Sequence, residues 1–132
     1  ERPSPARGLN GDHTVKKPLR LVLYCKPLSV NAAWQGRRFS TPAKTQYETA
    51  LQYSLPKVMV AGAPFYRIVF KFFLENFALT DYDNLIKVTQ DCLIKRGIIT
   101  DDRLIVDSRQ LKYRSEKDRI EIEIEGVGEP KP

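Results

Sequence analysis

The segment Tyr66–Glu75, YRIVFKFFLE, restricts the fold more than any other stretch of this chain. In an extended backbone Tyr66, Ile68, Phe70, Phe72 and Leu74 fall on one face, with Val69 and Phe73 on the other. So many aromatic and β-branched residues in one run predict a central, well-buried strand. Such a strand needs neighbours on both edges and a layer over its apolar face.

The rest of the sequence offers both. Leu19, Leu21 and Leu23 alternate with Arg20, Val22 and Tyr24, a half-buried strand that ends before Pro27. Thr41 followed by Pro42 is an N-cap with proline at the first helical position, and Tyr47, Leu51, Leu55 and Val58 recur at helical spacing. This helix runs from about residue 42 until Pro56 kinks or ends it, and Gly62-Ala-Pro64 closes the segment. A second helix fits residues 83–96, with Leu85, Val88, Cys92 and Leu93 as its stripe and Gly97 as its C-terminal cap. Leu104–Tyr113 reads as a strand, and so does Arg119–Glu125, where Ile120, Ile122 and Ile124 alternate with glutamates. The short link Arg114–Asp118 makes these two an expected hairpin. The expected fold is α+β, a two-layer β-α-β-α-β-β domain with a mixed sheet and both helices packed on one face. Residues 1–17, rich in Pro, Gly and charge, are expected to be a disordered tail or cloning remnant, with the domain covering 18–132.

Several chemistries are excluded by residue type. No apolar run approaches the eighteen or more residues of a membrane span, and no apolar signal core opens the chain, so a cytoplasmic setting without membrane contact is expected. Cys25 and Cys92 are far apart in sequence, and His13 is the one histidine, which argues against zinc sites and against Ser-His or Cys-His catalysis. Neither GxxxxGK[ST] nor GxGxxG occurs, so no nucleotide cofactor is expected. Carboxylates with a metal ion remain the most available chemistry.

Charge is unevenly placed. Residues 20–73 carry eight basic residues and one acid, Glu48, whereas residues 74–132 carry ten basic and thirteen acidic residues. Folded together, these halves would set a polyanion-binding surface beside a group of carboxylates. Lys26, Arg37, Arg38 and Lys44 lie in this basic half with Trp34 and Phe39 among them, a mixture of basic and aromatic groups.

The acids concentrate between Thr80 and Asp107, TDYDNLIKVTQDCLIKRGIITDDRLIVD. Asp81 and Asp83 lie at the strand-to-helix junction, on one side if the chain there is extended. Asp101 and Asp102 lie where the helix hands over to the next strand. Simpler readings compete: Thr80 and Asp83 match a capping box, Asp101-Asp102 suits a turn, and Lys87 with Asp91 is an i, i+4 pair that a solvated helix face would carry. An EF-hand is excluded because Leu85 would occupy a ligand position.

The spaced string D-x-D-N-x-x-K-x-x-x-D-x-L-x-x-x-G-x-x-x-D-D, carried here by Asp81, Asp83, Asn84, Lys87, Asp91, Leu93, Gly97, Asp101 and Asp102, resembles the signature of the RusA family of Holliday junction resolvases. The resemblance extends more weakly over about residues 19–126. It implies a homodimeric endodeoxyribonuclease, bacterial or phage-encoded and nucleoid-associated, that cuts four-way DNA junctions in recombination and repair, using Mg²⁺ with Mn²⁺ as a substitute. By position it makes Asp81, Asp83 and Asp102 the catalytic metal carboxylates and Lys87 the catalytic lysine, with Asn84, Asp91 and Asp101 in support, and it makes Lys26, Asn31, Arg37, Arg38 and Lys44 the candidates for holding DNA phosphates and Trp34 or Phe39 for stacking on bases. Two alternatives share the fold: a nucleic-acid-binding protein without junction-cleaving activity, and a nuclease acting on other branched DNA.

Overall fold

A computed structural model describes residues 13–15, 17–28, 34–35, 39–40, 42–79 and 85–132. Its centre is the strand expected from YRIVFKFFLE, here β6, Phe65–Leu74, preceded by five shorter ones: β1 (His13–Val15), β2 (Leu19–Leu23), β3 (Trp34–Gln35), β4 (Phe39–Ser40) and β5 (Val58–Val60). Helix α1 covers Pro42–Ser54 and α2 covers Ile86–Arg96, and β7 (Ile105–Arg114) and β8 (Arg119–Val127) complete the chain.

Strands β2, β8, β6 and β7 form the main sheet in that order. β8 runs antiparallel to both β2 and β6, and β7 runs parallel to β6, so the sheet is mixed. This corrects the expected hairpin: β6 inserts between β7 and β8, and the residues joining them cross its end, where the Ser115 amide donates to the Leu74 carbonyl at 3.0 Å. A short link was taken to mean pairing, but β6 is the most apolar strand and gains most from a neighbour on each edge.

Alternate residues build the core. On β6 Tyr66, Ile68, Phe70, Phe72 and Leu74 are buried, and register places them beside Ile120, Ile122 and Ile124 of β8, which in turn meet Leu19, Leu21 and Leu23 of β2. The helices complete this cluster with Tyr47, Leu51 and the following Leu55 from the first, and Val88, Cys92 and Leu93 from the second. Both therefore lie on one face of the sheet, as expected. Between them the Tyr47 and Thr89 hydroxyls form a buried hydrogen bond of 2.7 Å. Burial, only partly offset by that bond, pushes the Tyr47 phenol well above its ordinary value.

Helix ends follow local chemistry. α1 starts at Pro42 and stops before Pro56; Arg96 reaches across to donate to the Leu55 carbonyl at 3.1 Å. α2 ends at Gly97 with φ 84°, where Gly97 donates to Ile94 and Ile98 to Leu93, both at 3.0 Å. Those two bonds form a Schellman cap, which a side chain at position 97 would strain.

The short strands had no counterpart in the expected order. His13–Val15, inside the stretch read as a tail, pairs in parallel with Val58–Val60. β3 and β4 pair antiparallel within the expected 26–41 loop. At three or fewer residues, none carries a periodic signal. Cys25 and Cys92 are free thiols, and burial pushes the Cys92 thiol up to about 11.

Candidate functional site

Two segments were expected to supply the site, one before α2 and one after it. Asp81, Asp83 and Asn84 lie outside the described residues, as do Asn31, Arg37 and Arg38. The capping-box reading would begin the helix near residue 81, but α2 begins at Ile86 with Leu85 in the N-cap position and no side-chain cap bond.

Lys87 stands on the first turn of α2 with its side chain 60% exposed, and its Nζ lies 3.3 Å from Asp91 Oδ1. An exposed i, i+4 pair of this kind contributes about 0–1 kcal/mol and is screened by salt, so a phosphate can displace it at little cost. Lys95, one turn beyond Asp91 on α2, turns to Glu48 on α1 at 3.0 Å.

At the other end of the helix, Asp101 and Asp102 occupy a 3-10 turn, Asp102–Leu104, at the start of β7. They differ sharply. Asp101 accepts from the backbone amide of Arg103 at 2.9 Å and from its guanidinium at 3.0 and 2.7 Å. The Arg103 side chain, followed by its amide, pulls the Asp101 carboxyl down to about 2. Asp102 is exposed and adds to the negative field at Arg103. The Asp-x-Arg spacing of residues 101–103 was the signal for this division of labour, and it passed unread. α2 spans about 16 Å along its axis for eleven residues, and residues 97–102 join it to the turn that carries Asp102.

Of the cations proposed for DNA, Lys26 is exposed just beyond β2. Lys44 is not: its side chain is 12% exposed and binds Glu48 at 3.0 Å. Burial alone would raise the Glu48 carboxyl, but the hydrogen bonds from Lys44 and Lys95 outweigh it and hold the group below its ordinary value. Trp34 and Phe39 belong to β3 and β4.

The sequence model of the endodeoxyribonuclease RusA family matches residues 28–125. The chain belongs to the RusA family. That span takes in the whole D-x-D-N…D-D string, α1, α2 and most of the main sheet. No curated protein matches the chain. Membership of the RusA family implies an endodeoxyribonuclease of the Holliday-junction-resolving kind, with junction DNA as its partner. Among the described residues no helix is long and apolar enough to cross a membrane.

Proposed function

We propose that this RusA-family chain resolves four-way DNA junctions as a homodimer, by metal-dependent, paired hydrolysis of phosphodiester bonds. The observation that carries the reading is the family match over the segment in which Asp81, Asp83, Lys87 and Asp102 keep the signature spacing. The exposed Asp102 carboxylate suits a hard cation that takes oxygen ligands.

In this reading Asp81, Asp83 and Asp102 hold Mg²⁺, with Mn²⁺ as a substitute. The ion supplies stabilisation of negative charge on the phosphoryl oxygens and a water of lowered pKa. Three converging carboxylates repel one another and repel DNA, so cleavage depends on the cation. Lys87 leaves Asp91 and places a point charge on the scissile phosphate or leaving oxygen. Asn84, Asp91 and Asp101 support these groups. A four-way junction has two-fold symmetry and a homodimer presents two copies of one site, which accounts for paired nicks.

The test uses labelled four-way junction, duplex and single strand, each with Mg²⁺ or with EDTA. The expected result is paired nicks on the junction alone, lost with EDTA and in Asp83→Asn. Retarded but uncut junction in Mg²⁺ would overturn the enzyme reading, and equal cutting of every substrate would overturn junction specificity.

A further inference from the structure

The main sheet ends on a long strand. In the order β2-β8-β6-β7, β7 pairs with β6 along one side, and among the described residues no strand pairs with its other side. Its ten residues include no proline, and Ser108, Arg109, Leu111, Tyr113 and Arg114 are exposed. β2, at the opposite edge, has five residues. A free edge of this length offers a row of backbone N–H and C=O groups to any second strand. Register sets Ser108 beside Ile68, on the helix side, and Asp107, Arg109 and Leu111 on the open side.

The residues of this edge suit a second copy of the same strand. Two copies related by a two-fold axis pair antiparallel, and residues that face one another then lie on the same side of the sheet. With the axis at Ser108, Asp107 faces the partner's Arg109 on both sides of the axis, and Ile105 faces the partner's Leu111. An axis at Asp107 would set that carboxylate against its own copy, and an axis at Arg109 would oppose two guanidinium groups. Opposite charges across a strand pair support it and like charges oppose it, so the Ser108 register is selected. Arg109 can make the contact: its side chain is 68% exposed and its Nε lies 3.7 Å from Asp107 Oδ1, while Asp107 meets Arg67 through Oδ2 at 3.1 Å. Further along the strand Lys112 and Arg114 are drawn over the Phe77 ring of their own chain, at 4.4 and 4.5 Å from its centroid.

We propose that two copies of this chain associate edge to edge through β7, antiparallel and with the two-fold axis at Ser108, joining their main sheets into one of eight strands. This rests on the homodimer of the reading above and names the surface that forms it. An axis perpendicular to the sheet leaves both helix layers on the same side. It sets the two Ile105 residues, where each turn carrying Asp102 enters β7, about 20 Å apart along the strands. The two Asp102 turns therefore flank the axis, as two sites acting on a two-fold-symmetric junction require.

The experiment combines cysteine cross-linking with sedimentation equilibrium on the full chain. Ser108→Cys is expected to form a covalent dimer on mild oxidation with diamide, because the residue faces its own copy at a separation that a disulfide spans. Leu111→Cys is expected to link at least ~10-fold more slowly, since its two copies stand about 20 Å apart. Wild type, with the free thiols Cys25 and Cys92, sets the background. In sedimentation, Arg109→Asp and Asp107→Arg are each expected to raise the dimer dissociation constant ~10-fold or more, because each turns two opposite-charge pairs into like-charge pairs. An equal mixture of the two variants restores both pairs and is expected to form a heterodimer within ~3-fold of wild-type affinity, which also shows that each variant is folded. Linking of Leu111→Cys in preference to Ser108→Cys would overturn edge pairing in favour of contact through the open faces. A wild-type dimer in which Ser108→Cys fails to link would overturn the proposal alone, whereas a wild-type chain that sediments as a monomer at every concentration would overturn the homodimer reading with it.

Discussion

On β8 the isoleucines at 120, 122 and 124 are sealed beneath the helices, while Glu121, Glu123 and Glu125 on the opposite face keep part of their surface in water and take cations as neighbours. Around those glutamates Arg20, Arg67, Lys71 and Arg119 form a mesh of ion pairs, extended on β7 by Asp107 and Arg109. Phe73 stacks on Tyr113 with Arg119 above it. One face is held by exclusion of water and the other by pairing of charge. For function the lesson is in the carboxylates: four on the open face have cations as direct partners, as Asp101 has Arg103, whereas Asp102 beside it, before the start of β7, is exposed.

The comparison breaks most readily at the core. Phe70→Ala, fully sealed on the helix side, is expected to lose about 3–5 kcal/mol of stability in urea denaturation, while Val69→Ala on the other face loses less than about 1 kcal/mol. Comparable losses would show that the open face is covered in solution.

Cleavage sharpens the difference between the two kinds of carboxylate. Asp102→Asn is expected to slow junction nicking by at least ~100-fold, about 3 kcal/mol, with an unchanged melting temperature. Glu123→Gln, which breaks into the ion-pair mesh, should leave the rate within ~2-fold, since it loses only partly exposed pairs. A nicking rate insensitive to Asp102→Asn removes that residue from the site.

A smaller effect tests how the helices are tied. Tyr47→Phe leaves Thr89 without its buried partner and is expected to cost about 1–2 kcal/mol in the same denaturation. No change would mean that Thr89 finds another acceptor.

The smallest effect concerns pH. Because Arg103 depresses the Asp101 carboxyl to about 2, this group adds stability above its unfolded value, near pH 4, and loses it as pH falls through 2. Thermal melts of Asp101→Asn should therefore lie slightly below wild type at neutral pH and converge with it near pH 2. A gap that persists in acid would assign the effect to packing and not to charge.

Much of the molecule was legible from pattern. Period-two alternation marked β2, β6 and β8, and spacing with Thr-Pro and Gly97 marked the two helices, because side-chain direction in those elements follows residue number alone. The candidate site was legible only as a string of spaced acids and a lysine, of which the described residues include Lys87, Asp91, Asp101 and Asp102. Strand order was not, because the 115–118 link suits a hairpin as well as a crossing over the end of β6. Lys44 carried a local sign of pairing in Glu48 at i+4, but the pairs of Arg67 with Asp107 and Glu125 and of Lys71 with Glu123 join residues remote in the chain and were not legible.

By itself, then, the amino-acid sequence determined the two helices and the longer strands, the apolar face of each, and the family to which the spaced aspartates and lysine belong, since all of these depend on local periodicity and residue type. Tertiary structure alone decided that β6 parts β7 from β8, that Arg67 and Lys71 of the basic half are paired with carboxylates, and that Lys112 and Arg114 share the ring of Phe77. Those outcomes depend on distances between residues remote in the chain, set by how the sheet stacks its strands and where the helix layer ends.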